Sequence, residues 1–119
     1  MDDLIAEAKI VLDQLKDDNH KVACIMRSVD GQLFKGVSVQ GQKIHLCSEW
    51  SALTQALMAK ADIKIVVAVR KKDGEYFVYP PCGLCREFLL TYYPDAEVAV
   101  SEGETLVASS LLPNAWKKS

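Results

Sequence analysis

Three cysteines and one glutamate, in two short segments, have the residue types and spacing of a metal site. Cys47 and Glu49 lie in the segment CSEW, and Cys82 and Cys85 lie in PPCGLCRE. Taken alone, the pair Cys82 and Cys85 is compatible with a redox couple, with two ligands of a structural zinc ion, or with part of a catalytic metal centre. The surrounding sequence is needed to choose between these chemistries.

Each of these cysteines is predicted to stand at the start of a helix. Cys47 precedes apolar residues at helical spacing, and Pro80 and Pro81 stop regular structure just before Cys82. A helix N-terminus has unpaired N–H groups and a positive dipole, which lower the pKa of a thiol and favour the thiolate that a metal binds. The sequence therefore predicts that two helix starts meet around one metal ion.

Three thiolates with a carboxylate close to one of them fit a catalytic zinc ion better than a structural one. A structural ion takes four protein ligands, whereas a catalytic ion keeps one position open for water. Glu49 is then suited to proton transfer. We expect Arg86, which follows Cys85, to donate hydrogen bonds to a ligand sulfur and so to offset the charge of the thiolates.

Two alternatives stay open on the residues alone. A thioredoxin-like redox pair would use the two cysteines of PPCGLCRE but would leave those of CSEW without a role. A structural zinc site would need a fourth protein ligand, for which the candidates are His20, His45 and Cys24. We expect Cys24 to be a small core residue, and His45 to line the pocket mouth or to face solvent.

The elements that position these residues alternate between helical and strand-like patterns. Apolar residues recur at helical spacing over residues 3–16, from Leu46 to Ala61, and from Cys82 to just before Pro94. The third of these helices is expected to turn four side chains inward: Leu84, Phe88, Leu89 and Tyr92.

Strand-like runs lie on both sides of the Asp30-Gly31 turn, over residues 63–69, and in AEVAV and ETLVA. The run over 63–69 is almost entirely apolar and is expected at the centre of the sheet. The order α β β α β α β β predicts a single α/β domain over residues 1–119. Its architecture is a three-layer α/β/α sandwich with a mixed five-stranded sheet in the middle.

The composition argues against several classes of partner. The 119 residues include 14 Lys and Arg against 16 Asp and Glu, a net charge of −2, so no basic surplus is available to neutralise phosphates. Nucleic acid and anionic membrane surfaces are therefore not expected partners, and no apolar run reaches the ~20 residues that span a bilayer. The N-terminus shows no secretion signal, and the cysteines favour a reducing cytoplasm.

Together, CSEW and PPCGLCRE resemble the cytidine deaminase superfamily, specifically its small free-nucleoside branch with three cysteine zinc ligands. FKGVSVQ at 34–40 is similar to the family's Phe-x-Gly-x-Asn-Val-Glu pattern, and LLPNAW to its closing segment. Ser38 and Gln40 replace the Asn and Glu that bind ribose hydroxyls in ordinary cytidine deaminases, and Trp50 replaces a common Arg. Blasticidin-S deaminase-like proteins depart from the pattern at some of these positions, so the chain resembles that subfamily more closely.

The resemblance implies hydrolytic deamination of a cytosine-like nucleoside or nucleoside analogue, with release of ammonia. It implies Glu49 as the proton shuttle, the Ser48 backbone N–H as a contact to the base carbonyl, and the Pro80 carbonyl as acceptor of the departing amine. It also implies a homotetramer, with a dimer as the smaller alternative. One zinc ion per chain would be bound by Cys47, Cys82 and Cys85. The other substrate-binding candidates are Ser38, Gln40 and His20, the last as a ring stacked on the base.

Other functions stay open within and beyond this resemblance. The chain could be an ordinary cytidine or deoxycytidine deaminase of pyrimidine salvage, or a zinc-containing protein that binds a nucleoside without catalysis. A polynucleotide deaminase is disfavoured, because the chain is small and acidic and has Cys rather than His in its first motif.

Overall fold

The helices of the chain lie on both faces of its larger sheet, and two short strands pair separately from that sheet. The computed structural model describes residues 1–16 and 21–115. The helices in this part of the chain are α1 (Asp2–Asp13), α2 (Ser48–Met58), α3 (Gly83–Tyr92) and a 3₁₀ turn at Ala108–Ser110. The strands are β1 (Val22–Ser28), β2 (Leu33–Val37), β3 (Val39–Gln40), β4 (His45–Leu46), β5 (Ile63–Lys72), β6 (Glu75–Val78), β7 (Glu97–Ser101) and β8 (Glu104–Val107).

The main sheet is mixed and has β5 at its centre. Its order is β2-β1-β5-β7-β8, and β6 also pairs with β5. β5 runs antiparallel to β1 and β6 but parallel to β7. The predicted α/β sandwich and its central strand are confirmed, but the predicted five strands are wrong, since the sheet has six. The sixth is β6, which continues from the second Asp-Gly turn, where Asp73 and Gly74 both have positive φ.

Alternation along β1 and β5 divides the core into two layers. One face of the sheet, including Ile25 and Val67, packs against the buried stripe of α1. The opposite face, including Cys24 and Val66, packs against residues of α2 and α3. Because side chains alternate across a strand, a single buried sheet separates α1 from the two helices that begin at the cysteines. Cys24 is fully buried in this second layer, as expected for a small core residue.

The inward face predicted for α3 is only partly correct. Leu89 is buried, and Phe88 packs edge-on against Trp50 with ring centroids 4.9 Å apart. Leu84 and Tyr92, however, are 61% and 49% exposed. A helix at the surface of a protein buries only one side. The apolar residues of α3 extend beyond that side, so some of them are exposed. None of the described helices is long and apolar enough to cross a membrane.

Candidate metal centre and cavity

Cys47 and Cys82 are the N-caps of α2 and α3. Both have extended backbones, with φ −69° and ψ 152° at Cys47 and φ −69° and ψ 172° at Cys82. Cys85 lies in the first turn of α3 and is buried. Because an extended N-cap residue places its side chain over the open end of its helix, the two helix starts bring the thiols together.

The three sulfur atoms form one cluster. The Sγ atoms all lie within 4.8 Å of one another, with 3.4 Å between Cys47 and Cys82 and 3.5 Å between Cys82 and Cys85. Tetrahedral zinc with bonds of about 2.3 Å holds its sulfur ligands about 3.8 Å apart, so the cluster fits zinc with little movement. Among the described residues the cluster has no fourth protein ligand. His45 in particular does not belong to it.

The pKa values of the three thiols are shifted in different directions. Burial, together with the hydrogen bond to Cys82, raises the pKa of Cys47 to about 11. Burial and the charge of Glu49 raise the pKa of Cys85 well above its ordinary value. Burial also favours a higher pKa at Cys82. Hydrogen bonds from the Cys85 backbone N–H and from Cys47 outweigh this effect, so the pKa of Cys82 is lowered. The lowered pKa expected at a helix start therefore holds for Cys82 alone, and a metal must displace protons from its two partners.

Glu49 lies in the first turn of α2, beside the thiol cluster. Its side chain is nearly buried, and the Ser48 hydroxyl donates a hydrogen bond of 2.7 Å to its Oε1 atom. Gly36 on β2 allows this helix start to approach the sheet, since a Cβ atom there would lie only 2.4 Å from the Ser48 carbonyl oxygen. A missing side chain on the strand thus determines where the carboxylate sits.

A cavity of about 330 Å³ opens beside the cluster and is large enough for a small organic ligand. Part of its lining comes from the helix starts and the segment before α3: Cys47, Ser48, Glu49, Pro80 and Cys82. The rest comes from strands and their ends: Val22, Ser38, His45, Ala68, Arg70 and Tyr79. Two of the three candidate metal ligands, an acid and apolar side chains therefore line one cavity.

The predicted substrate-binding residues divide into three groups. Ser38, Ser48 and Pro80 line the cavity. Gln40 is exposed on β3 and is absent from the lining, although the resemblance placed it at the sugar. His20 lies outside the described residues.

Arg86 is anchored to backbone carbonyls. Its Nε–H donates to the carbonyl oxygen of Pro81 at 2.8 Å, and Nη1 donates to that of Leu111 at 3.1 Å. These bonds tie the cysteine helix to the segment before it and to the segment after the 3₁₀ turn. A hydrogen bond from Arg86 to a ligand sulfur, as expected from the sequence, stays a prediction.

The sequence reasoning missed Arg70 and Tyr79. Both line the cavity, and the Arg70 guanidinium carbon lies 5.5 Å from the centroid of the Tyr79 ring. A signal was present, since Arg70 is the first charged residue after an apolar strand and has the same face as Ala68 two residues earlier. The contact between Arg70 and Tyr79, however, depends on β6. This strand returns the chain along β5, so that the Tyr79 N–H donates a hydrogen bond of 2.9 Å to the Ala68 carbonyl oxygen.

No family profile matches the chain. It is 28% identical over 115 residues to the blasticidin-S deaminase of Bacillus cereus, covering 90% of this chain and 81% of that protein.

The fold is similar to solved cytidine deaminase structures. The enzyme from Burkholderia pseudomallei superimposes with a TM-score of 0.77 at 27% identity, covering 97% of this chain and 98% of that one. The enzyme from Bacillus anthracis gives a TM-score of 0.82 at 22% identity, covering 97% and 88%. The sequence relative and the structural neighbours agree with the two cysteine motifs, which meet in one cavity.

Proposed function

We propose that the chain is a member of the cytidine deaminase superfamily and a zinc-dependent hydrolase of a cytosine-like nucleoside or nucleoside analogue. The reaction replaces the exocyclic amine of the ring with oxygen from water and releases ammonia. The observation that carries the proposal is the meeting of the three-thiol cluster and the nearly buried Glu49 in one cavity. Similarity to deaminases in both sequence and fold supports the same reaction.

The residues that hold the metal are Cys47, Cys82 and Cys85, and we expect one ion per chain. Zinc bound there would supply a Lewis acid with one position open to water. The backbone N–H groups at the starts of α2 and α3 lie at the positive ends of two helix dipoles, which favours negative charge on the thiolates.

Glu49 acts as the proton shuttle. It accepts one proton from water and delivers it to the ring nitrogen, and it then accepts the second proton, from the hydroxyl group added to the ring, and delivers it to the leaving amine. The Ser48 hydroxyl donates a hydrogen bond to its Oε1 atom, which restricts the orientation of the carboxylate. Near-complete burial keeps bulk water from competing for those protons.

Ser48 and Pro80 orient the base. The backbone N–H of Ser48 binds the base carbonyl, and the carbonyl of Pro80 receives the amine as it departs. Both residues line the cavity, on the segments that carry the metal ligands. Their backbone groups can therefore hold the ring in register with the metal and with Glu49.

The sugar side favours a modified nucleoside of the blasticidin-S type over unmodified cytidine. The Ser38 hydroxyl is already the acceptor for the Val22 N–H at 2.9 Å, and Gln40 lies outside the cavity. Neither residue reproduces the paired sugar contacts of an ordinary cytidine deaminase. A cytidine kcat/KM at the level of efficient nucleoside deaminases would contradict this preference.

The test combines metal content with ammonia release. The purified protein should hold about one zinc per chain and release ammonia from at least one of cytidine, deoxycytidine and blasticidin S. Glu49→Gln should keep its zinc and lose roughly 10²–10⁴-fold in rate, while Glu75→Gln, on the exposed strand β6, serves as the control. Full activity without zinc, or a normal rate in Glu49→Gln, would refute the mechanism. Binding without ammonia release would identify a non-catalytic nucleoside-binding protein.

We also propose that the chain forms a homotetramer and acts in a reducing compartment such as the cytoplasm. Large apolar side chains are exposed on several elements, with Met58 at 87%, Ile44 at 67% and Leu84 at 61%. Such side chains are suited to subunit contacts. The four described cysteines are unpaired, and the three that form the cluster must stay reduced to bind a metal. Light scattering should give the mass of four chains.

A further inference from the structure

Arg86 connects the segment before the cysteine helix to the core of the protein. Its Nε–H donates to the carbonyl oxygen of Pro81 at 2.8 Å, and its Nη1 donates to that of Leu111 at 3.1 Å. Leu111 is buried and belongs to the core layer that packs against α2 and α3. Pro81 is buried as well. The guanidinium therefore ties the segment PPC to a fixed point of the core.

The backbone of the same arginine holds the next carbonyl along the chain. The Arg86 N–H donates to the Cys82 carbonyl oxygen at 2.9 Å. One residue thus binds the carbonyl groups of two consecutive residues, Pro81 with its side chain and Cys82 with its backbone. Both described partners of the guanidinium are neutral carbonyl oxygens, so these contacts depend on the direction of its N–H donors.

The bond to Pro81 also determines the direction of the carbonyl one residue earlier. The Pro80 carbonyl lies in the peptide plane that ends at the Pro81 nitrogen, and only the φ and ψ of Pro81 separate this plane from the next. The pyrrolidine ring holds φ at about −65°. The hydrogen bond from Arg86 to the Pro81 carbonyl oxygen restrains ψ. With both angles restrained, the direction of the Pro80 carbonyl follows from the anchored arginine.

This carbonyl lies at the cavity, whereas the arginine does not. Pro80 and Cys82 belong to the cavity lining, and Arg86 and Pro81 are absent from it. An effect of Arg86 on the reaction must therefore pass through the backbone of this segment.

We propose that Arg86 is a positioning residue which, through Pro81, directs the Pro80 carbonyl toward the amine that leaves the ring. This inference rests on the proposed function, in which that carbonyl receives the amine. It differs from compensation of the thiolate charge, because it requires two N–H donors in a fixed geometry and not a positive charge alone.

Arg86→Lys separates geometry from charge, since an ammonium keeps the charge but cannot reproduce the two bonds of a planar guanidinium. The kinetics use whichever of cytidine, deoxycytidine and blasticidin S releases ammonia fastest. We expect kcat to fall about 10- to 100-fold and KM to change by less than about 3-fold, because the carbonyl acts on the amine after substrate has bound.

Two further measurements on Arg86→Lys exclude a general structural effect. Zinc content by mass spectrometry should be unchanged. The affinity for the deaminated product, measured by calorimetry, should stay within about 3-fold of wild type, because the product has no amine. Glu87→Gln, which changes an exposed charge on the same helix turn, is the control and should keep the wild-type kcat.

Pro81→Ala tests the same step without changing the arginine. It frees φ but leaves the carbonyl that Arg86 binds. We expect a similar loss of kcat, and a double variant with Arg86→Lys should lose less than the product of the two single effects, because both act through one peptide plane. Pro94→Ala, at an exposed proline just after α3, is the matched control. If Arg86→Lys does not fold, Pro81→Ala and its control still decide the question.

A wild-type kcat in Arg86→Lys would overturn the inference, because the charge alone would then be sufficient. A wild-type kcat in Pro81→Ala would overturn it too. Loss of zinc or of product affinity in a folded Arg86→Lys would also contradict it, since the arginine would then act on the metal site or on binding. Failure of the proposed function has a different signature: the wild-type protein would release no ammonia from any of the three nucleosides, which would refute both.

Discussion

Gly36→Ala is expected to damage both stability and activity, although the residue touches neither metal nor substrate. A Cβ atom at this position would lie 2.4 Å from the Ser48 carbonyl oxygen and 2.6 Å from the Ala52 backbone nitrogen. Both contacts are to the backbone of α2, which cannot rotate away as a flexible side chain can. Relaxing the shorter contact to an ordinary 3.4 Å requires the helix start to move about 1 Å away from β2.

The size of both effects follows from that displacement. Overpacking of this kind costs typically 1–3 kcal/mol of unfolding free energy, which for a domain of this size lowers Tm by roughly 5–15 °C. Glu49 lies next to Ser48 on the same turn, so it moves with the helix start. A misplacement of about 1 Å at a reacting group costs on the order of 10²-fold in rate.

The assay measures thermal unfolding, zinc content and ammonia release on the same preparations. Gly41→Ala is the matched control, because a Cβ there meets one atom, the Ile44 carbonyl oxygen, at an ordinary 3.7 Å. We expect Gly36→Ala to lose both stability and rate and Gly41→Ala to keep both. A Gly36→Ala protein with wild-type Tm and rate would refute the argument that close packing of β2 against α2 positions the carboxylate.

Two further predictions concern the metal and the acidic surface. Cys85→Ser should bring zinc well below one ion per chain by mass spectrometry, whereas Cys24→Ala, at the fourth cysteine, should keep it; full zinc in Cys85→Ser would exclude the three-thiol site. Hydrogen bonds from Tyr76 and Lys71 lower the pKa of Asp13, so its contribution to stability is present above pH 3.8 and is lost as the pH falls through the lower folded-state pKa. Asp13→Asn should therefore lower Tm slightly at pH 7 and not at all in strong acid, and an equal difference at both pH values would contradict this.

The metal centre was accessible from the sequence because its determinants are local. Proline before Cys82 and apolar spacing after Cys47 predict two helix starts, and both cysteines are N-caps. The Asp30-Gly31 turn is equally local, and Gly31 has a φ of +94°. Such features depend on a few neighbouring residues, so they can be predicted without knowledge of the tertiary fold.

The sixth strand was missed for a physical reason. β6 is only four residues long, and it pairs with Val69–Lys72, the end of β5 that lies mostly beyond the apolar run. The charged residues at 70–72 do not continue the apolar pattern of the strand, so nothing in the sequence indicated that β5 extends to Lys72. Pairing across a tight turn can stabilise a strand whose own sequence pattern is weak. Such pairing cannot be recognised from the pattern of the strand's own residues.

The cavity also combines features that are determined locally with features that depend on strand pairing. The chemistry belongs to two helix starts, where residues within one turn decide the geometry, and these were predicted correctly as elements. We expect selectivity to depend on the strand ends, where Arg70 and Tyr79 meet only because β6 returns the chain along β5. A substitution on that wall can change which sugar is accepted without moving a metal ligand.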